Sequence, residues 1–404
     1  MSNNFYFWLK KFSFVLLVVP VLIFTSCSDE PNSTGYGLLN PEDLIEIKTF
    51  DSVRDSISQE FKQLIQVENL GASRRILVGK YNDLTASALI RFEFVFTEEL
   101  KTLLKENKVN VSSAKLKVFP IYKFGDSPRT NFSFNVHEIK SWWDSDQFTA
   151  DSLNPSHFDY DNSSIESNLI DGDSVISCEL PNSKVLEWMK AISDTGIKNP
   201  SGIYLKPTAS SNFIRGLRAI GSSTNTSTLE VAFSKDGTTT DTIYAVTVAD
   251  VHVVTTTENY NDPLVLTLQS GILSKAKLKF DVSAIPKNAI INSAVLELTR
   301  NFSKSEFGTS FQDSLYVLRL TDTSKIAIDS NFAPVLVQID SNIYEGNISR
   351  IVQDWLNTGM NYGLLLSPRD PDGGVERFVF ESSNSLDPNK KPKLRVYYTI
   401  RKTK

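Results

Sequence analysis

Cysteine and histidine are scarce in this chain of 404 amino acids. It contains two cysteines and three histidines. His137, His157 and His252 are isolated, without the spacing of a metal site or a catalytic triad. Cys178 is the only cysteine apart from Cys27, so we expect no intramolecular disulfide in the folded body. The apolar alternation around Cys178 predicts a small buried side chain rather than a nucleophile.

Several enzyme motifs are also missing. The chain has no G-x-S-x-G, P-loop, G-x-G-x-x-G or C-x-x-C pattern. It therefore lacks the sequence signals of nucleotide binding, of a hydrolase elbow and of redox chemistry. Carboxylates are abundant, but a glycosidase needs two at a defined separation, and sequence spacing in a β fold does not give that separation. We predict a non-catalytic protein with no metal and no cofactor.

Residues 1–26 have the features of a signal peptide. Lys10 and Lys11 precede an apolar run over residues 12–24, which is short for a membrane span. The letters FTSC, which end in Cys27, resemble a bacterial lipobox. This resemblance implies cleavage before Cys27 and attachment of a lipid to its thiol. A plain signal peptide or a transmembrane helix is the alternative.

Residues 27–43 are polar, with proline and glycine, which predicts a flexible tether. The letters SDEP after Cys27 resemble the acidic export signal of lipoproteins of the Bacteroidetes group. This resemblance implies a lipid-anchored protein on the outer face of the outer membrane. Without Lys10 and Lys11 the chain carries 40 basic and 47 acidic side chains. This excess of negative charge argues against nucleic acid as a partner.

The composition of the remaining chain is typical of an all-β protein. Short stretches rich in Val, Ile, Leu, Phe, Tyr and Thr recur between Asn, Asp, Gly, Ser and Pro. About 377 residues suffice for two domains. Many short strands in two sets favour two antiparallel β-sandwiches. A helix over residues 97–107, with an apolar stripe that includes Leu100 and Leu104, is the main predicted exception.

The two halves of the chain share an order of motifs. VLEWMK, GIYLKP, RGLRAIGSS and LEVAF in the first half correspond to IVQDWLN, GLLLSP, ERFVFESSN and LRVYY in the second. Before them, ALIRFEF corresponds to KLKFDVS, VSSAKLKVF to INSAVLELT, and FSFNVHEI to DSLYVLRL. This repetition predicts a first sandwich over residues 44–234, a flexible linker over 235–241 and a second sandwich over 242–404.

Each half also predicts a short helix with a tryptophan on its apolar stripe. Asn182 and Ser349 are the predicted N-caps, and Gly359 is the predicted stop of the second helix. The stripes are Val185, Trp188 and Met189 in the first half, and Val352, Trp355 and Leu356 in the second. We predict structural roles for Trp188 and Trp355, because such stripes bury their rings over the end of a sandwich. Sugar stacking by these rings is the alternative.

The second half resembles the DNRLRE domain family, part of which is classed with the family 96 carbohydrate-binding modules. The resemblance is carried by KLKFDVSAIP, INSAVLEL, NISRIVQDWLNTGMNYGLLLSP, FVFESSN and PKLRVYY. It implies jelly-roll-like β-sandwich modules of secreted and surface proteins, which are often joined to polysaccharide lyases. Alginate and related polysaccharides are the ligands that it implies.

The first half departs from the family pattern. It lacks the Asn-Tyr before Gly202, carries the insertion at residues 97–107, and has Arg91 where the second half has Lys279. A common fold tolerates such changes, whereas a common ligand does not follow from it. The resemblance implies no fixed set of sugar contacts.

One loop of the first half concentrates aromatic and acidic side chains. The candidate ligand-binding residues are Trp142, Trp143, Asp144, Asp146, Asp151 and Tyr160. An aromatic ring packs against the C–H face of a sugar, and carboxylates accept from its hydroxyls. The alternatives are a loop that covers the core, with one tryptophan buried, and a calcium site at the aspartates. Residues 367–374 form a second polar loop, for which we predict a hairpin connection.

These observations predict a surface-anchored lipoprotein whose two sandwiches bind a polysaccharide or a cell-surface glycan. Its other predicted contact is with the outer membrane, through the N-terminal lipid. The first alternative is a structural or adhesive protein that binds other surface proteins. A polysaccharide lyase or a glycosidase is a third hypothesis, which the missing motifs disfavour.

Overall fold

The computed structural model describes residues 46–125, 131–194, 200–220, 222, 225–235, 237, 239–322 and 326–400. The predicted leader, Cys27 and the tether lie outside these residues. Residues 49–398 form one compact unit, and the two chain ends form a second unit, of which 46–48 and 399–400 are described. The described chain is all-β with few helices, and its strands build two large antiparallel sheets. This confirms the predicted all-β, sandwich-type fold class.

The strands are numbered along the chain. They are β1 (Ile47–Asp51), β2 (Gln59–Ile65), β3 (Arg75–Tyr81), β4 (Leu84–Glu93), β5 (Val109–Val118), β6 (Pro120–Phe124), β7 (Phe134–Glu138), β8 (Ser167–Asp171), β9 (Ile176–Glu179), β10 (Ile203–Pro207), β11 (Ile214–Arg218), β12 (Thr228–Lys235), β13 (Thr239–Thr256), β14 (Val265–Gln269), β15 (Ser274–Phe280), β16 (Ala289–Thr299), β17 (Ser314–Leu320), β18 (Ile328–Asp329), β19 (Val335–Gln338), β20 (Ile343–Asn347), β21 (Leu364–Pro368), β22 (Arg377–Glu381) and β23 (Lys393–Ile400). The helices are α1 (Glu98–Lys105), α2 (Asn182–Ser193) and α3 (Ser349–Thr358).

The first sheet contains β3 to β13, and the second contains β1, β2 and β14 to β23. The order in the first is β6-β11-β3-β4-β13-β12-β5-β9-β8, with β10 between β4 and β7. The order in the second is β1-β23-β16-β20-β19-β17-β21-β15-β14-β22, with β2 on β15 and β18 on β17. The first sheet folds back on itself, because strands from distant points of this order, such as β3, β5 and β7, supply one hydrophobic core.

The strand pairing repeats as the sequence motifs do. In the first sheet β10 pairs with β4 and β7, and in the second β21 pairs with β15 and β17. Gly202 before β10 and Gly363 before β21 both have positive φ, +107° and +95°. A Cβ atom on Gly202 would lie 2.3 Å from the Ile90 carbonyl oxygen, and one on Gly363 would lie 2.8 Å from that of Leu278. The paired glycines are therefore required for the same close approach in both halves.

The strand before each repeat pairs with the sheet of the other repeat, an arrangement that we call the strand exchange. In the N-terminal strand β2, Gln63 pairs with Ala276 of the second sheet. In β13, His252 pairs with Ala88 of the first sheet. Ile90 and Leu278 are equivalent, because their carbonyls face the paired glycines, and Ala88 and Ala276 each lie two residues earlier. Gln63 and His252 therefore occupy equivalent places in opposite sheets. The two sheets therefore do not coincide with the predicted ranges 44–234 and 242–404, because β2 belongs to the second sheet and β13 to the first.

Lys235 and residues 239–241, which lie in the range predicted as a flexible linker, instead belong to the paired strands β12 and β13. Lys235 at the end of β12 pairs with Thr239 at the start of β13, and the antiparallel register continues to Thr228 and Val246. Gly237 lies between them with φ of +73°. A short polar segment with glycine is typical of a hairpin turn as well as of a linker, so its composition alone did not separate the two.

The loop over residues 367–374 was predicted to be a hairpin connection. This prediction is wrong, since β21 lies between β15 and β17 while β22 pairs with β14.

The three helices bury the predicted apolar stripes. Val185, Trp188 and Met189 of α2, and Leu100 and Leu104 of α1, belong to the core of the first sheet. In α3, Val352, Trp355 and Leu356 are buried, and Gly359 ends the helix in the left-handed region. Trp188 and Trp355 are therefore core residues, as predicted.

The two predicted N-caps are wrong. Helix α3 begins at Ser349, whose Oγ accepts from the Ala294 backbone N–H at 2.7 Å instead of capping its own helix. Asn182 likewise starts α2 and donates through Nδ2 to the Ser112 carbonyl at 3.1 Å. Both side chains attach a helix to a neighbouring strand, a tertiary contact that local sequence does not encode.

A buried apolar cluster joins the two sheets, and we call it the inter-sheet core. The first sheet contributes Leu77, Leu84, Ala86, Tyr122, Phe124, Ile214 and Val254, and the second half contributes Tyr260, Ile272 and Val375. The Val375 N–H donates to the Tyr122 hydroxyl oxygen at 3.2 Å. Because apolar side chains of the first sheet are buried together with side chains from loops of the second half, the two halves contact each other through packed side chains as well as through the chain itself.

Candidate functional site

The loop that follows β7 covers the outer face of the first sheet. Successive strand residues alternate between faces, so Ala88 and Ile90 enter the main core while Leu89 points the other way. On this second face a separate cluster forms. It contains Leu89, Tyr204, Ala249, Val251 and Val253 from the strands, with Ile139, Trp143, Phe148 and Phe158 from the loop and its start. The long aromatic loop is thus partly a core cover, the alternative considered for it.

A side chain from the segment between β2 and β3 fixes the loop. Asn69 Nδ2 donates to the carbonyl oxygens of Ser145 and Phe148, each at 2.7 Å. The Asn69 Oδ1 atom accepts from the Gly71 N–H at 3.0 Å, which sets the orientation of the amide. These contacts hold the turn that carries the adjacent tryptophans.

The two tryptophans have opposite environments. Trp143 is 3% exposed, and its Nε1–H donates to the Ser201 carbonyl at 2.6 Å. Trp142 is 70% exposed. The Arg91 guanidinium carbon lies 4.2 Å from the centre of the Trp142 ring and 5.2 Å from that of Trp143. Trp143 is therefore the core member of the pair, and Trp142 is the ring that a ligand can reach.

Arg91 is held in place beneath the exposed ring. Its Nη1 donates to the Trp143 carbonyl at 3.2 Å. Partial burial lowers the pKa of Arg91, and the nearby Asp144 carboxylate opposes this effect. Since the pKa of arginine lies far above neutrality, Arg91 stays charged and its attraction to the ring persists. The Trp142 ring is therefore exposed to solvent and held in position by its contact with the Arg91 guanidinium group.

An open cleft of about 400 Å³ lies beside this ring. Its wall contains Trp142, Trp143, Asp144, Gln147, Phe148, Asp151, Ser152, His157 and Phe158. The structure therefore brings four of the six predicted ligand residues to one surface: Trp142, Trp143, Asp144 and Asp151. We call this surface the Trp142 cleft.

Two predicted residues do not line the Trp142 cleft. Asp146 lies in the same turn, where its backbone N–H donates to Asp144 Oδ1 at 3.0 Å. Tyr160 belongs to the aromatic cluster, with its ring centre 5.1 Å from that of Tyr204, and its hydroxyl accepts from Lys206 Nζ at 2.9 Å. Gln147 and His157 line the cleft instead and stand in the same loop, so their position in the sequence could have suggested them. Arg91 is distant in sequence, and no local signal connected it with the loop.

The second half has a cleft of about 530 Å³ where α3 meets β15. Its wall includes Glu60, Lys279, Lys287, Trp355 and Asn361. Trp355 is only 2% exposed, and Phe280 in the same wall is fully buried. This cleft therefore offers charged and amide groups but no accessible aromatic face, and the two halves differ in what they could bind.

The described residues offer neither a metal site nor a membrane-spanning helix. Among the described residues no group of three or more His, Cys, Asp or Glu side chains is arranged to hold a metal ion. Within the same part of the chain, none of the helices has the length and apolar character needed to cross a bilayer.

The chain matches no protein-family model and no curated protein in comparisons with known sequences. The likeness to DNRLRE domains remains a prediction from the quoted motifs. The function must accordingly be argued from the site itself.

Proposed function

We propose that this protein is a non-catalytic, surface-anchored lipoprotein that binds a polysaccharide or cell-surface glycan at the Trp142 cleft. One observation carries the proposal: Trp142 exposes most of its ring while Arg91 and the loop hold it in position. An exposed tryptophan is costly to hydrate, and its face suits the apolar C–H side of a pyranose. The surrounding groups then match the hydroxyls of the sugar.

Each side chain of the cleft has a distinct part in the proposed binding. Trp142 stacks against the sugar ring. Asp144 and Asp151 accept hydrogen bonds from hydroxyl groups, and Gln147 can both donate and accept. Because Asn69 and Arg91 fix the loop and the ring before a ligand arrives, little side-chain freedom is lost on binding. Preorganisation of this kind favours affinity.

A substitution of the exposed ring tests the proposal. The body from residue 28 onward is passed through gels that contain individual polysaccharides, and binders are then measured by calorimetry. We expect Trp142→Ala to weaken binding at least tenfold, as for other central aromatic contacts, and Trp142→Phe to retain part of it. Phe302→Ala is the matched control, because Phe302 is also an exposed aromatic residue and lies in the second half. Equal losses for Trp142→Ala and Phe302→Ala would contradict the proposal.

The non-catalytic part of the proposal has its own test. The same polysaccharides are incubated with the protein, and new reducing ends and unsaturated products are measured. We expect neither to accumulate. Release of product that disappears in Asp144→Asn or Asp151→Asn would instead assign lyase or glycosidase chemistry to this cleft. A stoichiometric protein partner, captured without any glycan, would favour the adhesive alternative.

Membrane attachment through Cys27 is proposed from the sequence. The experiment is metabolic labelling of cells with a radioactive fatty acid, followed by fractionation of the membranes. The wild-type chain should carry the label and collect in the outer membrane, where surface protease reaches it. Cys27→Ala should lose both the label and the attachment. Labelled protein in that variant would refute lipidation at Cys27.

A further inference from the structure

The two halves carry different side chains at equivalent places on one sheet face. In the first half, Leu89 of β4 lies between Val251 of β13 and Tyr204 of β10. All three side chains are buried in the cluster that the aromatic loop after β7 covers. This row of the first half is therefore apolar and closed to solvent.

The same row of the second half carries lysines. Because Ile90 and Leu278 are equivalent, Lys277 of β15 takes the place of Leu89. Lys277 lies between Lys62 of β2 and Leu365 of β21. Two lysines thus stand where the first half has two buried apolar residues, although the strand pairing is the same.

These lysines point away from the core of the second half. Burial alternates along β15, where Ala276 and Leu278 are fully buried while Lys277 and Lys279 are only half-buried. Lys62 on the neighbouring strand is exposed. We call the surface formed by Lys62, Lys277 and Lys279 the lysine face.

Two carboxylates lie at one end of the lysine face. Glu60 is directly opposite Lys279, and Asp281 comes two residues after Lys279 in the chain. Both acidic side chains are exposed, and they offset the charge of Lys279. The excess of positive charge is therefore centred on Lys62 and Lys277.

Lys62 and Lys277 are directly opposite each other in the antiparallel register. In the described part of the chain no carboxylate lies within 4.0 Å of either ammonium group, whereas the neighbouring Lys275 contacts Glu68 at 3.0 Å. Like charges at directly opposite positions destabilise a sheet. A pair that weakens the fold and meets no acid of its own chain favours an anionic partner from outside.

The charge and shape of the lysine face limit what this partner is. The chain carries 47 acidic and 42 basic side chains, so most of its surface repels anions while this face attracts them. Lys62 and Lys277 stand on the face of paired strands, and neither lines the cleft beside α3. An open face suits an extended anionic surface, whereas a small ligand is held by a concave site.

We infer that the lysine face docks on the phosphate groups of an anionic lipid membrane. Each lysine near such a surface adds to the attraction, and salt screens it. The membrane as partner rests on the proposed lipid anchor at Cys27, whereas the basic face rests on the strand pairing. An acyl chain at Cys27 keeps lipid head groups at high local concentration around β2, the second of the described strands. The Trp142 cleft, in the first half, takes no part in this contact.

The test measures flotation of the body from residue 28 with vesicles, so it does not require a lipid at Cys27. Vesicles of phosphatidylcholine are compared with vesicles that contain about one third phosphatidylglycerol, at low and physiological salt. The face variant is Lys62→Ala with Lys277→Ala. The control is Lys101→Ala with Lys105→Ala, which removes the same charge from α1 of the first half.

We expect wild type and control to bind the anionic vesicles at low salt, and the face variant to lose about fivefold or more in partition coefficient. Lys62→Arg with Lys277→Arg keeps the charge and should bind as wild type does. Urea unfolding of the face variant should show no loss of stability, because the substitution removes a like-charge pair. A loss of vesicle binding in the face variant alone supports the inference.

Other results overturn the inference. A wild type that ignores the anionic vesicles, or binds neutral ones equally, refutes it, and so does an equal loss in the control, because only net charge would then matter. Binding of double-stranded DNA without binding of vesicles would refute the membrane as partner. Trp142→Ala should bind vesicles as wild type does, so failure here is distinguishable from failure of glycan binding. Failure of fatty-acid labelling at Cys27 would leave the flotation result unchanged.

Discussion

Arg377 of the second sheet and Asp83 of the first form an ion pair across the inter-sheet core. Arg377 Nη2 donates to both carboxylate oxygens of Asp83, at 2.9 and 2.8 Å, and the two side chains are 14% and 15% exposed. Arg377 Nε also donates to Gln269 Oε1, which accepts a further bond from the Tyr260 hydroxyl. A polar network therefore joins the halves beside their apolar contact.

Removal of Asp83 should destabilise the whole unit. Asp83→Ala leaves Arg377 desolvated without its carboxylate, and we expect a loss of about 3 kcal/mol in the free energy of unfolding. Urea denaturation followed by fluorescence measures it. Glu106→Ala is the control, since the Glu106 side chain pairs with Lys108 at a half-exposed site and its loss should cost under about 0.5 kcal/mol. Similar losses for the two variants would contradict the assigned importance of the Asp83 pair.

The strand exchange predicts that a substitution in β2 weakens the second sheet and leaves the first sheet unchanged. Gln63 Nε2 donates to the Thr267 carbonyl at 2.6 Å and to the Lys275 carbonyl at 2.9 Å, and its Oε1 accepts from the Thr267 N–H at 3.1 Å. Gln63→Ala should cost about 2 to 3 kcal/mol, because these groups lose their partner. Hydrogen exchange should accelerate at the amides of β15.

The amides of β4 serve as the internal control for this prediction. They should keep their protection, since β13 and not β2 pairs with β4. Lys62→Ala, at the neighbouring exposed position of β2, should change the stability by less than about 0.5 kcal/mol. Faster exchange in β4 than in β15 would refute the exchange of strands.

Two buried groups of β13 should respond to pH in opposite directions. Burial, with a smaller effect of Arg75, lowers the pKa of His252 to about 3. The unfolded chain takes up this proton near pH 6.5 and the folded chain does not, so the stability falls as the pH drops from 6.5 toward 3. Against His252→Leu, wild type should lose about 1.4 kcal/mol per pH unit in this window.

Asp250, two residues away, should offset part of this loss of stability at acid pH. Burial raises the pKa of Asp250 to about 6, although its carboxylate accepts from the Ile220 N–H at 2.7 Å. The folded chain binds this proton first, so the stability rises as the pH falls from about 6 to 4. Unfolding of wild type and Asp250→Asn between pH 7 and 4 measures the effect. A wild type that gains nothing relative to Asp250→Asn on acidification would contradict it.

Cys178 should be inert while the protein is folded. The thiol is buried, and burial raises its pKa to about 12, so almost no thiolate is present at neutral pH. In the body from residue 28, a thiol reagent such as dithionitrobenzoate should react only at the rate of unfolding. Rapid reaction under native conditions, compared with an exposed cysteine introduced at Ser156, would show that the thiol is accessible.

Much of the local structure followed from patterns of residues. The helix over Glu98–Lys105 was predicted because Leu100 and Leu104 share one face, and both are buried. Strand β2 could not be placed from its own residues, since its hydrogen-bond partners in β15 lie about 210 residues further along the chain. The N-cap predictions for Ser349 and Asn182 were wrong for the same reason, because their polar side-chain atoms form hydrogen bonds with strands distant in sequence.

The candidate site was predictable in composition but not in geometry. The loop sequence indicated aromatic rings beside carboxylates, and Trp142, Asp144 and Asp151 do line one cleft. Which tryptophan faces solvent depends on the Ser201 carbonyl and on Arg91, which lie 58 and 52 residues away from Trp143.

The sequence alone determined the β character, the internal repetition and the burial of Trp188 and Trp355, since these depend on residue periodicity and on motifs that recur. Tertiary structure alone decided that β2 pairs with β15 and β13 with β4. Backbone hydrogen bonds are nearly independent of side chains. The residues of a strand therefore predict that it pairs with another strand, but they do not predict which strand that is. That choice is made by packing across the whole unit, which also brings Asp83 to Arg377.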